Sequence, residues 1–138
     1  MADPEAAARR ALDEFAAAFN RSDLQAVRAA CNFPHIHMPR DRRLVNVAPT
    51  AEDLVTDFAG LGANEGWHHT VFHDVEVLVT SETMVTFHLT YTRYHPDGAA
   101  YLSGNALFVF TSQDGHWGRQ AMVIYDPAPV LSAGTVGV

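Results

Sequence analysis

The apolar positions of this chain change their period near residue 70. Before it they recur every three or four residues, which keeps one side of a helix apolar; after it they alternate, as half-buried strands do. Ala8, Leu12, Phe15, Ala16 and Phe19 form the first stripe. Asp3 ahead of Pro4 supplies its start, an acceptor for free backbone N–H groups followed by a residue that lacks one. This helix is predicted to reach about Asn20. Ser22 reads as the cap of a second, shorter helix striped by Leu24, Val27 and Cys31 and ended by Pro34. A third is predicted from Thr50, with Asp53 as its capping-box partner. Its buried face is Leu54, Phe58 and Leu61, and Gly60 and Gly62 stop it.

From Thr70 onward, Val71 to Val79, Met84 to His95, Ala100 to Thr111 and Trp117 to Tyr125 are rich in the β-branched and aromatic residues that suit strands. Short turn signals separate them at 80–83, 96–98 and 113–115, so consecutive strands must run antiparallel. Phe33 to Met38 reads as a short edge strand. Helices first and a meander afterwards imply an α+β domain: three N-terminal helices packed on a curved four- to six-stranded antiparallel sheet. Residues 1–126 form that single domain. Residues 127–138, small, glycine- and proline-containing and without periodicity, read as a flexible tail.

Composition narrows the functional classes. The chain is 138 residues long and 48% hydrophobic, enough for one well-buried core. Nine basic against sixteen acidic residues leave a formal charge of -7, which argues against nucleic acid or an anionic membrane as a partner. No apolar run approaches a membrane span. One cysteine, Cys31, excludes an internal disulfide and fits a reducing, cytoplasmic setting. Neither a GxSxG elbow nor a glycine-rich phosphate loop is present, so no cofactor is implied.

The front of the chain, Phe15-x-x-x-Phe19-Asn20-x-x-Asp23-Leu24-x-x-Val27, resembles the nuclear transport factor 2-like superfamily, and Asp114-Gly115-His116-Trp117-Gly118 resembles its last hairpin. The resemblance covers residues 5 to 126. It implies a cystatin-like cone of sheet closed by three helices, a small apolar pocket and a homodimer through the outer sheet face. Members include ketosteroid isomerases, dehydratases and polyketide cyclases, so fold alone leaves the activity open. The isomerase's tyrosine, base aspartate and buried aspartate would match Phe15, Pro39 (with Asp41 displaced) and Leu107; none of the three roles is filled. In dehydratase-like members a strand histidine works with a carboxylate at the end of the first helix. His69, or His68 if the register slips, matches the histidine, and Asn20 stands at the carboxylate.

Seven of eight histidines lie between His35 and His95, and histidine exchanges protons near neutral pH. His35 and His37 flank Ile36, so on an extended segment both face one side. Of His68 and His69 at the start of the first long strand, one is expected to face inward. The expected catalytic set is therefore His37, His69, His35 and Asn105, with a histidine moving the proton and Asn105 or a tyrosine stabilising an oxyanion. By the isomerase match the interior face carries Tyr101, Ser103, Asn105 and Leu107 on the third long strand and Gln120, Met122 and Ile124 on the last, with Phe15 at the tyrosine position; Phe19, Trp67, His68 and Tyr91 are further candidates for the pocket lining. Arg93 and Arg119 are assigned to a dimer face or to ion pairs with Glu76 or Asp74, and His95 and His116 to turns. The expected function is a cofactor-independent isomerase, dehydratase or cyclase acting on an apolar small molecule. A non-catalytic binding cone is the alternative. A metal site made of His35, His37 and His68 or His69 is the third possibility, although no metal-ligand motif is present.

Overall fold

The computed structural model describes residues 3–124, so the tail expected at 127–138 lies outside the described residues. The first helix, α1, spans Pro4–Asn20, with Asp3 accepting from the N–H groups of Glu5 and Ala6 as expected. Ala8, Leu12 and Phe15 are buried along its stripe, together with Ala7, Ala11 and Ala18. The second helix, α2, is Leu24–Ala29, and Asp23 rather than Ser22 caps it by accepting from Ala26 N–H. Ser22 instead takes a left-handed turn with φ 56° between the two helices. Asp23 was the better candidate on chemistry, since a carboxylate also opposes the positive end of the helix dipole.

The third helix departs most from the expected boundaries. Thr50 and Asp53 do form the capping box, but it closes only a 3-10 turn, Ala51–Asp53. The α-helix, α3, begins later, Phe58–Glu65, with Asp57 accepting from Gly60 N–H. Gly60 and Gly62 lie inside it, and Gly66 ends it in the left-handed conformation, φ 71°, that glycine adopts without steric cost.

Six strands form one sheet in the order β2-β1-β6-β5-β4-β3. They are β1 (Cys31–Met38), β2 (Asn46–Ala48), β3 (His69–Thr80), β4 (Met84–Tyr94), β5 (Ala100–Gln113) and β6 (His116–Ile124). Pairing is antiparallel except between β1 and β6, which run parallel. The segment expected as an edge strand is therefore longer, starts at Cys31 and is interior, with β2 outside it. Cys31 belongs to this strand and not to a helix stripe. Short turns could reveal only antiparallel neighbours; a parallel pair this far apart in sequence has no local signal.

Pro34 sits within β1 instead of ending a helix. It has no N–H, and the ladder to β6 is interrupted between Cys31 and Ile36. Two glutamines meet the carbonyls left there: Gln113 Nε2 donates to Phe33 O at 2.8 Å and Gln120 Nε2 to Pro34 O at 3.0 Å.

The core lies between α1 and the concave face of the sheet, around Phe15, Val27, Val85, Phe87, Leu89, Phe108 and Phe110. On β5 the inward face is Gly104, Ala106, Phe108 and Phe110, the opposite alternation from that taken from the isomerase match. Pairing with β4 sets it: Phe87 faces Phe108, Leu89 faces Ala106 and Tyr91 faces Gly104. A one-residue offset in a strand moves every side chain to the other face.

Candidate functional site

The concave side of the sheet, α1 and the 39–65 segment enclose an open-mouthed cavity of about 700 Å³. Its deep wall is aromatic and aliphatic, from Phe15, Phe19, Phe72, Tyr91, Phe108, Met122 and Ile124. Tyr91 reaches into it across Gly104. A side chain there would meet the Tyr91 hydroxyl and ring, so any larger residue at this point of β5 requires the ring to move.

His35 and His37 both line the cavity, while Ile36 between them points out and is 41% exposed. The alternation expected for an extended segment is observed. His35 is only 3% exposed and its Nε2 accepts from Arg119 Nε at 3.3 Å. Burial, then the charges of Arg119 and His37, push its pKa down to about 3. It is thus a neutral hydrogen-bond acceptor at neutral pH, not a poised base. His37 is also held below its ordinary value, by burial first and Arg119 second. Among the described residues its imidazole has no hydrogen-bond partner.

Arg119 is the residue the sequence misassigned. A bulge opens the β5–β6 register: Phe110 pairs with Arg119 but Val109 with Ala121, leaving Gln120 as the extra residue. The bulge turns Arg119 inward beside Met122 and Ile124, and takes Gln120 off the cavity wall to bond Thr111 and Pro34. Arg119 is 6% exposed. Its guanidinium carbon lies 3.9 Å from the Phe15 ring centre and 4.8 Å from that of Phe108, and Nη1 donates to Met122 Sδ at 3.1 Å. It forms no ion pair with any described carboxylate, and therefore none with Glu76 or Asp74. A desolvated cation–π contact contributes roughly 2 kcal/mol, whereas burying an ion costs several. The two rings offset part of that cost and no described carboxylate offsets the rest. The neighbouring Cys31 supplies no charge, because burial pushes its thiol pKa up.

The mouth has the opposite character. Asp41, Asp53, Asp57, Glu65 and Arg93 line it, and each is engaged. Asp41 binds Arg43, Asp53 holds Thr50 and Asp57 caps α3. Arg93 Nη1 is 2.7 Å from Glu65 Oε1, a partner not anticipated for it, and Tyr101 donates to the same oxygen. Burial would raise the Glu65 pKa, but the bonds from Tyr101 and Arg93 outweigh it and hold the carboxyl below its ordinary value. Tyr101 is pushed up to about 12 by burial and by Glu65.

The remaining expected residues lie elsewhere. Neither His68 nor His69 lines the cavity: they bond each other at 3.0 Å, and His69 stacks on Tyr94. The inward positions at the start of β3 are Thr70 and Phe72 instead. Asn20, at the expected carboxylate position, grips the Thr70 backbone with both amide atoms, at 2.7 and 2.8 Å. Trp67 is buried behind Phe19 and Phe58 with its Nε1 on Thr70 Oγ1, and supports the wall without forming it. Ser103, Asn105 and Leu107 lie on the outer face of β5, where Ser103 bonds Thr92 and Asn105 bonds Thr90. Tyr101 sits at the rim against His95. His95 also bonds Gly66 O, and His116 ties Asn32 to Ala29 O, so both fasten turns to the body of the fold. With His68 and His69 off the cavity, the three-histidine metal set is not assembled, and no group of three or more potential metal ligands occurs among the described residues.

A curved sheet wrapped on one side by helices, with an apolar cavity inside, is the nuclear transport factor 2-like fold. An NTF2-like protein from Cytophaga hutchinsonii matches with a TM-score of 0.67 at 12% identity, over 91% of this chain and 99% of that one. A ketosteroid isomerase-like protein from Erwinia carotovora atroseptica matches with a TM-score of 0.66 at 19% identity, over 94% and 100%. A Catenulispora acidiphila structure in complex with S-DNPA matches with a TM-score of 0.65 at 12% identity, over 88% and 92%. No family model and no curated protein matches the chain by sequence. No helix among the described residues is long and apolar enough to cross a membrane.

Proposed function

We propose that the cavity binds an apolar, carbonyl-containing small molecule and that His37 moves a proton on it, in a cofactor-independent isomerisation, dehydration or cyclisation. The observation carrying this is His37 itself, a neutral imidazole on an apolar wall with no hydrogen-bond partner among the described residues. Such a group can take a proton at pH 7 without first giving up a structural bond. Tyr91, which also lines the cavity, is the hydroxyl assigned to bond a carbonyl oxygen as charge builds on it. His35, bound to Arg119, orients and stays neutral. Likeness to a ketosteroid isomerase-like protein and to a protein solved with S-DNPA supports a small-molecule role for the cavity.

The test is solvent-deuterium exchange at the α-carbon of 2-tetralone, followed by NMR. Wild type is expected to accelerate exchange, and His37→Gln to lose roughly 10²–10⁴-fold of that rate. The rate should rise with pH through the lowered pKa of His37 and level off above it, since the unprotonated ring is the active form. Equal rates for wild type and His37→Gln would end this assignment.

One observation favours a non-catalytic ligand-binding cone: the cavity's four carboxylates and His35 are all engaged, leaving one candidate base. Saturable binding of the ketone without exchange would select that reading.

A further inference from the structure

Of the charged side chains on the cavity wall, Arg119 combines full burial with no acidic partner. The four carboxylates that line the cavity are held at its mouth by Arg43, Thr50, the start of α3, and Arg93 with Tyr101. Arg119 donates to His35 Nε2 and Met122 Sδ and has the Cys31 thiol as a further hydrogen-bond partner; burial pushes the thiol pKa up, so none of the three is an anion. A guanidinium carries five N–H donors in a planar fork suited to a carboxylate, and it stays protonated in proteins. Phe15 and Phe108 pack on this guanidinium with their rings at 86° to each other, and none of its protein acceptors is charged, so an incoming carboxylate would be its first anionic partner among the described residues.

We propose that Arg119 is the anion-recognition group of this cavity and that its ligand is an apolar, ring-bearing small molecule carrying one carboxylate. Pairing in a protein interior ordinarily requires both ions to lose water. Here folding has already stripped the cation, so an incoming carboxylate gains a partner whose desolvation is complete. The aromatic wall of Phe15, Phe19, Phe72 and Tyr91 then covers the rest of the molecule. The inference rests on the cavity being a small-molecule site, as proposed above, and is independent of any proton transfer by His37.

The test compares 2-naphthoate with its uncharged isostere 2-naphthamide by titration calorimetry at pH 7. Wild type should prefer the carboxylate by at least about tenfold, the scale of one charge-assisted bidentate bond. Arg119→Met, checked for folding by circular dichroism, should bring the two affinities to within about twofold while keeping the amide's binding. Arg119→Lys, which keeps the charge and loses the fork, should retain part of the preference. In wild type, contacts from the naphthyl protons to the Phe15 and Phe108 rings should appear by NMR. Equal affinity of both probes for wild type would overturn the proposal even if neither variant folds. So would a preference that survives Arg119→Met, or one abolished by Arg93→Met. Binding of neither probe would remove this inference together with the small-molecule reading. A carboxylate preference without deuterium exchange would remove only the catalytic part.

Discussion

Arg93, near the end of β4, and Arg119, on β6, line the same cavity from separate parts of the sheet and meet different surroundings. Arg93, at the mouth, keeps a quarter of its side chain in solvent and has Glu65 at 2.7 Å, with Tyr101 on the same carboxylate. Arg119, at the base, is buried, packed against two phenyl rings that meet at 86°, and bonded to uncharged acceptors. The mouth is electrostatically complete, and its ion pair joins the end of α3 to β4. The base carries a charge that folding does not balance among the described residues. Such an imbalance costs stability, and a site that must recognise an anion is one place where that cost serves a purpose.

The largest expected effect comes from removing what holds Arg119. Phe15→Ala deletes a buried ring that touches Phe19, Phe72, Phe108 and the guanidinium, and should lower stability by about 3–5 kcal/mol in urea denaturation. A loss below about 1 kcal/mol would mean that the base of the cavity is loosely packed. Next is the acid limb of the stability curve. The folded-state pKa of His35 lies near 3, below the ordinary 6.5, so the unfolded chain binds more protons between those values. Its contribution is complete above about pH 6.5 and is lost as pH falls towards 3, with a slope of up to about 1.4 kcal/mol per pH unit. Glu65, also lowered, adds to the loss in acid. His35→Gln, which keeps an acceptor for Arg119, should flatten this limb, and an unchanged slope would separate His35 from the acid response.

Smaller effects sharpen the contrast further. Gly104→Ala should displace the Tyr91 ring and cost about 1–3 kcal/mol by thermal denaturation, as overpacking does. The paired substitution Arg93→Met and Arg119→Met compares the two ends directly. At the mouth it removes a partly exposed ion pair and should cost no more than about 1 kcal/mol. At the base it removes an uncompensated buried charge and should be neutral or stabilising by about 1 kcal/mol. A loss above about 2 kcal/mol at Arg119 would instead make that residue a structural strut.

The histidine pairs show how far local pattern reaches. His35 and His37 share a face because alternation on an extended segment requires it, whatever surrounds the strand. For His68 and His69 alternation demanded only that they differ. The pairing of β3 with β4 then placed Thr70 and Phe72 inward and stacked His69 on Tyr94. Asn105 and Leu107 were misplaced for a related reason: β5 carries apolar residues on both faces, so its inner side is fixed only by Phe108 meeting Phe87. Thr50 and Asp53 formed the box their spacing promises, but Leu54 to Asp57 did not continue as helix, and the true start came at Asp57.

By itself the sequence determined the order of helices and strands apart from β2, the stripe of α1, the hairpin turns from β3 to β6 and the common orientation of His35 and His37. All of these follow from periodicity, capping and turn chemistry, which act within a few residues. Only the tertiary structure decided that β1 runs parallel to β6, that β5 turns Phe108 inward, and that a single extra residue at Gln120 carries Arg119 into the cavity. Those outcomes depend on pairing between strands far apart in the chain, where a shift of one position reverses a face and leaves no trace in the local pattern.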